Sequence, residues 1–252
     1  MERIANLFAS LPLSAALQAR LADPEQLRNH RFYLDLPQGL AVIFTGISEE
    51  SLSELLVSSY LYFRTLLFLD DLLDGETRAA SEEEVEEIFL YFSLYERSIR
   101  GLAGLFPGQH PFWGHLEQCK KEYALANQRE KRATAQVRTW TQQEYEALAA
   151  GKSAVCGAMV YALEGLGETQ AVTTGAMLQS LRVFHLAVQY EDDVLDFAKD
   201  VAQGQYTYVY YLLRERLLLE QVDIASLPSH LLQAMLYTTG TATTLLEQAA
   251  LL

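Results

Sequence analysis

Apolar positions recur at the three-and-four spacing of a helix through most of this chain. Leu52, Leu55, Leu56, Tyr60, Phe63 and Leu67 set the pattern, which gathers them on one face of an amphipathic helix and not on the alternating sides of a strand. The six prolines, Pro12, Pro24, Pro37, Pro107, Pro111 and Pro228, fall outside the long periodic stretches. Proline removes a helix donor and clashes with the preceding turn, so an all-helical chain puts it there. Three pairs, Ser51 with Glu54, Ser81 with Glu84 and Thr141 with Glu144, have the spacing of a capping box. The pattern predicts helices near 13–21, 25–35, 52–74, 82–101, 112–136, 142–163, 169–200, 206–220 and 229–250, with connections at 36–48, 102–111, 164–168 and 221–228. Only Leu40 to Phe44 reads as a candidate strand. No linker, low-complexity tract or internal repeat interrupts the sequence, so the expectation is all-α, one domain over 1–252.

Composition narrows the function classes. The chain has 252 residues, half of them apolar and 21% charged, enough for a real core around a cavity and unlike a disordered or collagenous protein. No uncharged apolar run approaches roughly 18–20 residues, so no transmembrane segment is expected. Nineteen Lys plus Arg against 33 Asp plus Glu give a net charge of −14. That charge repels phosphate backbones and argues against a nucleic-acid partner. An anionic ligand therefore needs a local counter-charge, either basic side chains or a bound cation. Cys119 and Cys156 show no CxxC spacing, and the N-terminus lacks a basic segment followed by a long apolar one. The expected location is the reducing cytoplasm, without a signal peptide.

The chemistry concentrates in two acidic segments. Phe68-Leu69-Asp70-Asp71-Leu72-Leu73-Asp74-Gly75 closes an apolar, aromatic helix. Asp70, Asp71 and Asp74 are spaced to project from one face within a single turn. The second segment, Gln189-Tyr190-Glu191-Asp192-Asp193-Val194-Leu195-Asp196, repeats Asp-Asp-x-x-Asp and continues to Asp200, and its spacing puts Gln189, Asp192, Asp193, Asp196 and Asp200 on one face. Like charges this close repel, and apolar flanks raise the cost of ionising them. Oxygen-only ligands without His or Cys suit a hard divalent cation, and Mg²⁺ binds through one or two carboxylates plus waters and substrate phosphates. A single such segment in an acidic protein is most often a solvated helix face, as in Glu82 to Glu87. Two of them, each after an apolar run, favour metal and diphosphate.

These segments resemble the two aspartate-rich motifs of class I isoprenoid synthases, the superfamily of trans-prenyl diphosphate synthases and terpene synthases. Tyr145 to Ser153, with Lys152, is similar to that family's Tyr-…-Lys-Thr segment, whose lysine contacts the diphosphate. Asp200 to Thr207 is similar to its Asp-…-Gly-Lys-x-Thr turn. The resemblance covers about 52–210 in the family's order. It implies a helical bundle around a central cavity, with the helices bearing Asp70 and Asp192 facing each other across it. It also implies Mg²⁺, more than one ion recruited with the substrate, held by Asp70, Asp71, Asp74, Asp192, Asp193 and Asp196. Lys152, Gln189, Arg78 and Thr207 would bind the prenyl diphosphate, with Lys152, Asp70 and Asp192 acting in catalysis. A homodimer is common in that family; the residues themselves do not choose an oligomeric state.

The departures select a reaction branch. Chain-elongating members carry a Gly-Lys-Arg segment upstream and an Arg-Arg-Gly segment after the first motif. Here the upstream stretch is Gln38 to Phe44, with no base, and the downstream one is Glu76-Thr77-Arg78-Ala79-Ala80. Gln205 stands where lysine is usual. The resemblance with these departures implies a terpene synthase that ionises one allylic prenyl diphosphate and releases diphosphate with a cyclised or quenched product. Three alternatives stay open: chain elongation with isopentenyl diphosphate, head-to-head condensation of the squalene and phytoene type, and a non-enzymatic partner subunit. Tyr60, Tyr62, Phe63, Phe68, Phe92, Phe184 and Tyr190 are candidates for a dry, cation-stabilising pocket, although core packing is the commoner role for any one of them. The bases Lys120, Lys121, Arg129, Lys131, Arg132 and Arg138 read as a solvated helix face. Gly151-Lys152-Ser153 is not a phosphate loop, since Glu146 replaces its first glycine and no strand precedes it.

Overall fold

The fold is all-α. The structure, a computed structural model, describes residues 4, 6, 8, 14–73, 82–136, 139–169, 171–224 and 227–252. Its named helices are α1 Ala15–Leu21, α2 Pro24–Asn29, α3 Phe32–Ala41, α4 Glu49–Leu73, α5 Glu82–Leu105, α6 Phe112–Gln136, α7 Gln142–Lys152, α8 Ala154–Leu166, α9 Ala171–Leu195, α10 Phe197–Ala202, α11 Tyr208–Leu219, α12 Ser229–Thr238 and α13 Thr241–Leu251. The chain divides into two compact units, 1–115 with 159–174, and 116–158 with 175–252. The divisions fall inside α6, α8 and α9, so no linker marks them.

In the first unit α4 and α5 form an antiparallel pair. Phe68 stacks on Tyr91 at 4.0 Å and Tyr62 meets Tyr95 at 6.0 Å. Ser98 Oγ donates to the Ser58 carbonyl at 2.7 Å, and Arg97 pairs with Glu54 at 3.1 Å. The falling residue numbers on one helix against rising numbers on the other fix the direction. A side chain on Gly101 would collide with Ser58 and Glu54, so glycine allows this close approach. Tyr60, Leu61, Leu90 and Leu94 belong to the buried core. By length and composition Glu49–Leu72 also qualifies as a membrane span, despite Glu54 and Arg64, and 61% of its most apolar window is buried inside the protein.

Two expectations in this unit are corrected. Leu40 and Ala41 end helix α3 instead of starting a strand, and Pro37 lies inside that helix. Leu34, Pro37 and Ala41 share one buried stripe, and burial of that face outweighs the local penalty of the proline. The one β pairing among the described residues is the bridge between Thr45 and Glu168. Ser51 does not cap α4. Its N–H instead donates to Ser48 Oγ at 3.1 Å, which puts the start of the helix at Glu49. The proposed cap at Ser81 lies outside the described residues.

In the second unit the long predicted helices are broken. Thr141 and Glu144 form the expected capping box at the start of α7. The stretch 142–163 is interrupted at Ser153, whose hydroxyl donates back to the Ala150 carbonyl at 3.0 Å, a bond that bends helices. The stretch 169–200 is interrupted at Asp196. The stretch 229–250 is interrupted at Gly240, where φ is +72°. There Arg216 of α11 donates to the Thr239 carbonyl at 2.6 Å and to Thr244 Oγ1 at 2.9 Å, filling an acceptor left open at the helix end. Tyr145, Tyr190, Phe197, Val209, Leu213, Leu236 and Leu245 build the core.

Candidate functional site

The second acidic segment and the lysine come together in the second unit. A Cβ on Gly151 would lie 2.7 Å from Ala126 Cβ, so α7 runs hard against α6 at that point. One turn further along α6, Glu130 Oε1 meets Lys152 Nζ at 2.9 Å, both side chains about a quarter exposed. Lys152 also lies close enough to Asp192 and Asp193 of α9 to oppose the loss of their charge. Sequence reading found Lys152 but missed Glu130, which sits unremarked among the bases of 120–138. The glycine before the lysine is the signal of the close approach.

The three aspartates do not share one environment. Asp193 is 4% exposed, whereas Asp192 and Asp196 are exposed. Gln189 Nε2 donates to Asp193 Oδ1 at 2.8 Å, while Oδ2 is buried without a hydrogen-bond partner among the described residues. The Tyr145 hydroxyl approaches the same carboxylate without completing a hydrogen bond. Burial pushes the Asp193 carboxyl up to about 7, against the opposing pull of Gln189, Tyr145 and Lys152. Asp192 is raised by desolvation and then by Asp196, opposed by Lys152 and Lys199. Asp200 is raised to about 6 by desolvation, Asp196 and other carboxylates. The expectation of one continuous acidic face from Gln189 to Asp200 is therefore corrected. Asp193 turns into the packed interior and the helix breaks at Asp196.

The break is held by a residue that sequence reading did not single out. Gln233 of α12 donates to the Val194 carbonyl at 3.1 Å and accepts from the Ala198 N–H at 3.2 Å. One amide thus serves the freed acceptor before Asp196 and the freed donor after it. Beyond α10, Gly204 at φ +75° turns the chain and Gln205 N–H donates to the Asp200 carbonyl at 2.7 Å. Thr207 then starts α11 without using its hydroxyl as a cap. Glu130, Tyr145, Gln189, Asp193, Gln205 and Thr207 border a small cavity of about 20 Å³, room for one water or small ion and not for a substrate. Below it Tyr145 packs against Tyr190 and Tyr208 at 5.2 and 5.1 Å.

The remaining predicted site residues belong to the first unit. Asp70 is half-buried and Asp71 exposed in the last turn of α4, in the first unit. Asp74 and Arg78 lie outside the described residues. Among the described residues no three His, Cys, Asp or Glu side chains converge as a ready metal cage. The chemistry of the donors still fits a hard cation, because Asp192, Asp196 and Asp200 offer only oxygen and Asp196 raises the cost of ionising the other two. Of the candidate pocket aromatics, Tyr60, Tyr62, Phe63, Phe68 and Tyr190 are buried in the cores, while Phe92 and Phe184 are exposed. Comparison with protein-family models, with curated proteins and with solved structures finds no match for the chain.

Proposed function

We propose that this protein ionises an allylic prenyl diphosphate and releases inorganic diphosphate with a cyclised or quenched terpene. The observation that carries the reading is the position of Lys152, paired with Glu130 and near enough to Asp192 and Asp193 to favour their charged forms against burial. Mg²⁺, when bound, supplies the charge that couples diphosphate to carboxylates. Asp192 and Asp196 would be the exposed ligands of the second segment, and Asp70, Asp71 and Asp74 would be those of the first. Lys152 leaves Glu130 for the diphosphate, and stabilises negative charge as the allylic C–O bond breaks and its electron pair departs with the leaving group. Gln189 holds Asp193 in place.

The hydrocarbon tail needs an apolar track. Val188 and Phe184 lie one and two turns before Asp192 on the same face of α9, about 6 and 12 Å along the axis, and both are exposed. They give the tail a surface directly below the diphosphate end. Inorganic diphosphate titrated by calorimetry tests the reading. Binding should be strong with Mg²⁺ and weak with chelator, and weaker again in Asp192→Ala. Equal affinity with and without chelator contradicts it.

A further inference from the structure

We propose that the first unit contains a binding site for a small phosphate-type oxyanion, built on Arg64, Tyr60, Tyr91 and His30. It lies outside the acidic segments and does not depend on the reaction proposed above. Arg64 sits in the middle of α4 and is 6% exposed. No carboxylate lies within ion-pair distance of it among the described residues. In the same unit Asp35 pairs with Arg31 at 2.9 Å and Glu54 with Arg97 at 3.1 Å. Asp70 and Asp71 are about 9–10 Å further along the helix axis.

Among the described residues, Arg64 is surrounded by hydrogen-bonding groups without negative charge. Nη1 donates to the Tyr60 hydroxyl at 3.2 Å, the guanidinium stands 6.0 Å from the Tyr60 ring centroid, and the Tyr91 hydroxyl is a second hydrogen-bonding neighbour. Two hydroxyls and one distant ring face are weak compensation for a guanidinium removed from water. His30 completes the group. Burial and the charge of Arg64 push its imidazole down to about 4, so it is neutral and offers one N–H. Arg64 with its planar fork, two phenol O–H groups and a neutral imidazole are the donors that a tetrahedral oxyanion uses. Of the four residues His30 is the most exposed, being only half-buried.

Thermal unfolding of the full chain in chelator, at constant ionic strength, tests the proposal with potassium phosphate, sulfate or acetate exchanged for chloride. Phosphate should raise Tm by about 5 °C or more at a hundredfold excess over its Kd. Sulfate should act similarly and acetate less, because acetate lacks the tetrahedral oxygens; acetate acting as strongly as phosphate would make the site a carboxylate site and overturn the assignment. The rise should vanish in Arg64→Met and persist in Lys152→Met. No rise over chloride in the wild type, the same rise in Arg64→Met, or loss of the rise in Lys152→Met alone would each overturn it. If Arg64→Met fails to fold, Arg64→Lys keeps the charge without the fork, and phosphate affinity by calorimetry should then fall at least tenfold. Unchanged affinity in that variant would overturn the proposal as well.

Discussion

Asp193→Asn should stabilise the metal-free protein at pH 8 and leave it nearly unchanged at pH 4. The carboxyl rises from its ordinary 3.8 to about 7 because burial removes it from water. Between those values the native state holds a proton that the unfolded chain has lost. Stability therefore falls as pH rises through this window, by about 1.4 kcal/mol per pH unit. The integrated loss between pH 4 and pH 8 is about 4 kcal/mol, and the same direction holds for Asp200, raised to about 6. Asparagine keeps the shape and the acceptor for Gln189 but never ionises, so it removes the Asp193 share. Urea unfolding followed by circular dichroism at pH 4, 6 and 8, in chelator and at fixed ionic strength, measures the difference directly. A variant whose stability falls with pH as steeply as that of the wild type, or one less stable at pH 8, would refute the argument. With Mg²⁺ and diphosphate present the sign should reverse, since a bound cation favours the ionised carboxylate.

Other outcomes follow from the same contacts. Gly151→Ala forces α6 and α7 apart at Ala126 and should cost about 1–3 kcal/mol in overpacking, reduced by about 1 for the better helix former; a stabilised variant in chemical denaturation would show that the helices have room. Gln233→Met leaves the Val194 carbonyl and the Ala198 N–H without their partner and should cost about 1–3 kcal/mol, with hydrogen exchange accelerating at 196–200; unchanged exchange would mean that the bend holds itself. Cys119 and Cys156 are buried free thiols pushed up to about 11 and about 12, by desolvation first in both cases. A thiol reagent at pH 8 should find neither in the native protein and both in urea, and rapid native labelling would contradict this burial.

Much of the fold was legible because helix periodicity is a local signal. Helix α6 follows the pattern residue for residue, and Thr141 with Glu144 forms the box that its spacing promises. The breaks at Ser153, Asp196 and Gly240 were not legible, since each is stabilised by a partner distant in sequence or by a backbone bond that competes with the helix. Gln233 bridging Val194 and Ala198 is the clearest case. In the candidate site, residue types and spacing pointed to Gln189 and the aspartates, and Lys152 came from the family resemblance. They did not announce that Asp193 would turn inward while Asp192 and Asp196 stay exposed, because a helix face named from spacing carries no information on what packs against it. Arg64 was invisible for the same reason: one base in an apolar helix looks like a surface residue until its burial beside the Tyr60 hydroxyl is seen.

The most direct measurement of the central claim presents the purified protein with ten-, fifteen- and twenty-carbon allylic diphosphates and Mg²⁺, with and without isopentenyl diphosphate, and follows diphosphate release together with extracted products by mass spectrometry. The account predicts diphosphate release and a hydrocarbon or alcohol from one allylic substrate alone, abolished by chelator and lowered by orders of magnitude in Asp70→Ala, Asp192→Ala and Lys152→Met. Product formation that requires isopentenyl diphosphate and yields only longer diphosphates, or no turnover of any allylic diphosphate by folded protein with Mg²⁺ present, would contradict it.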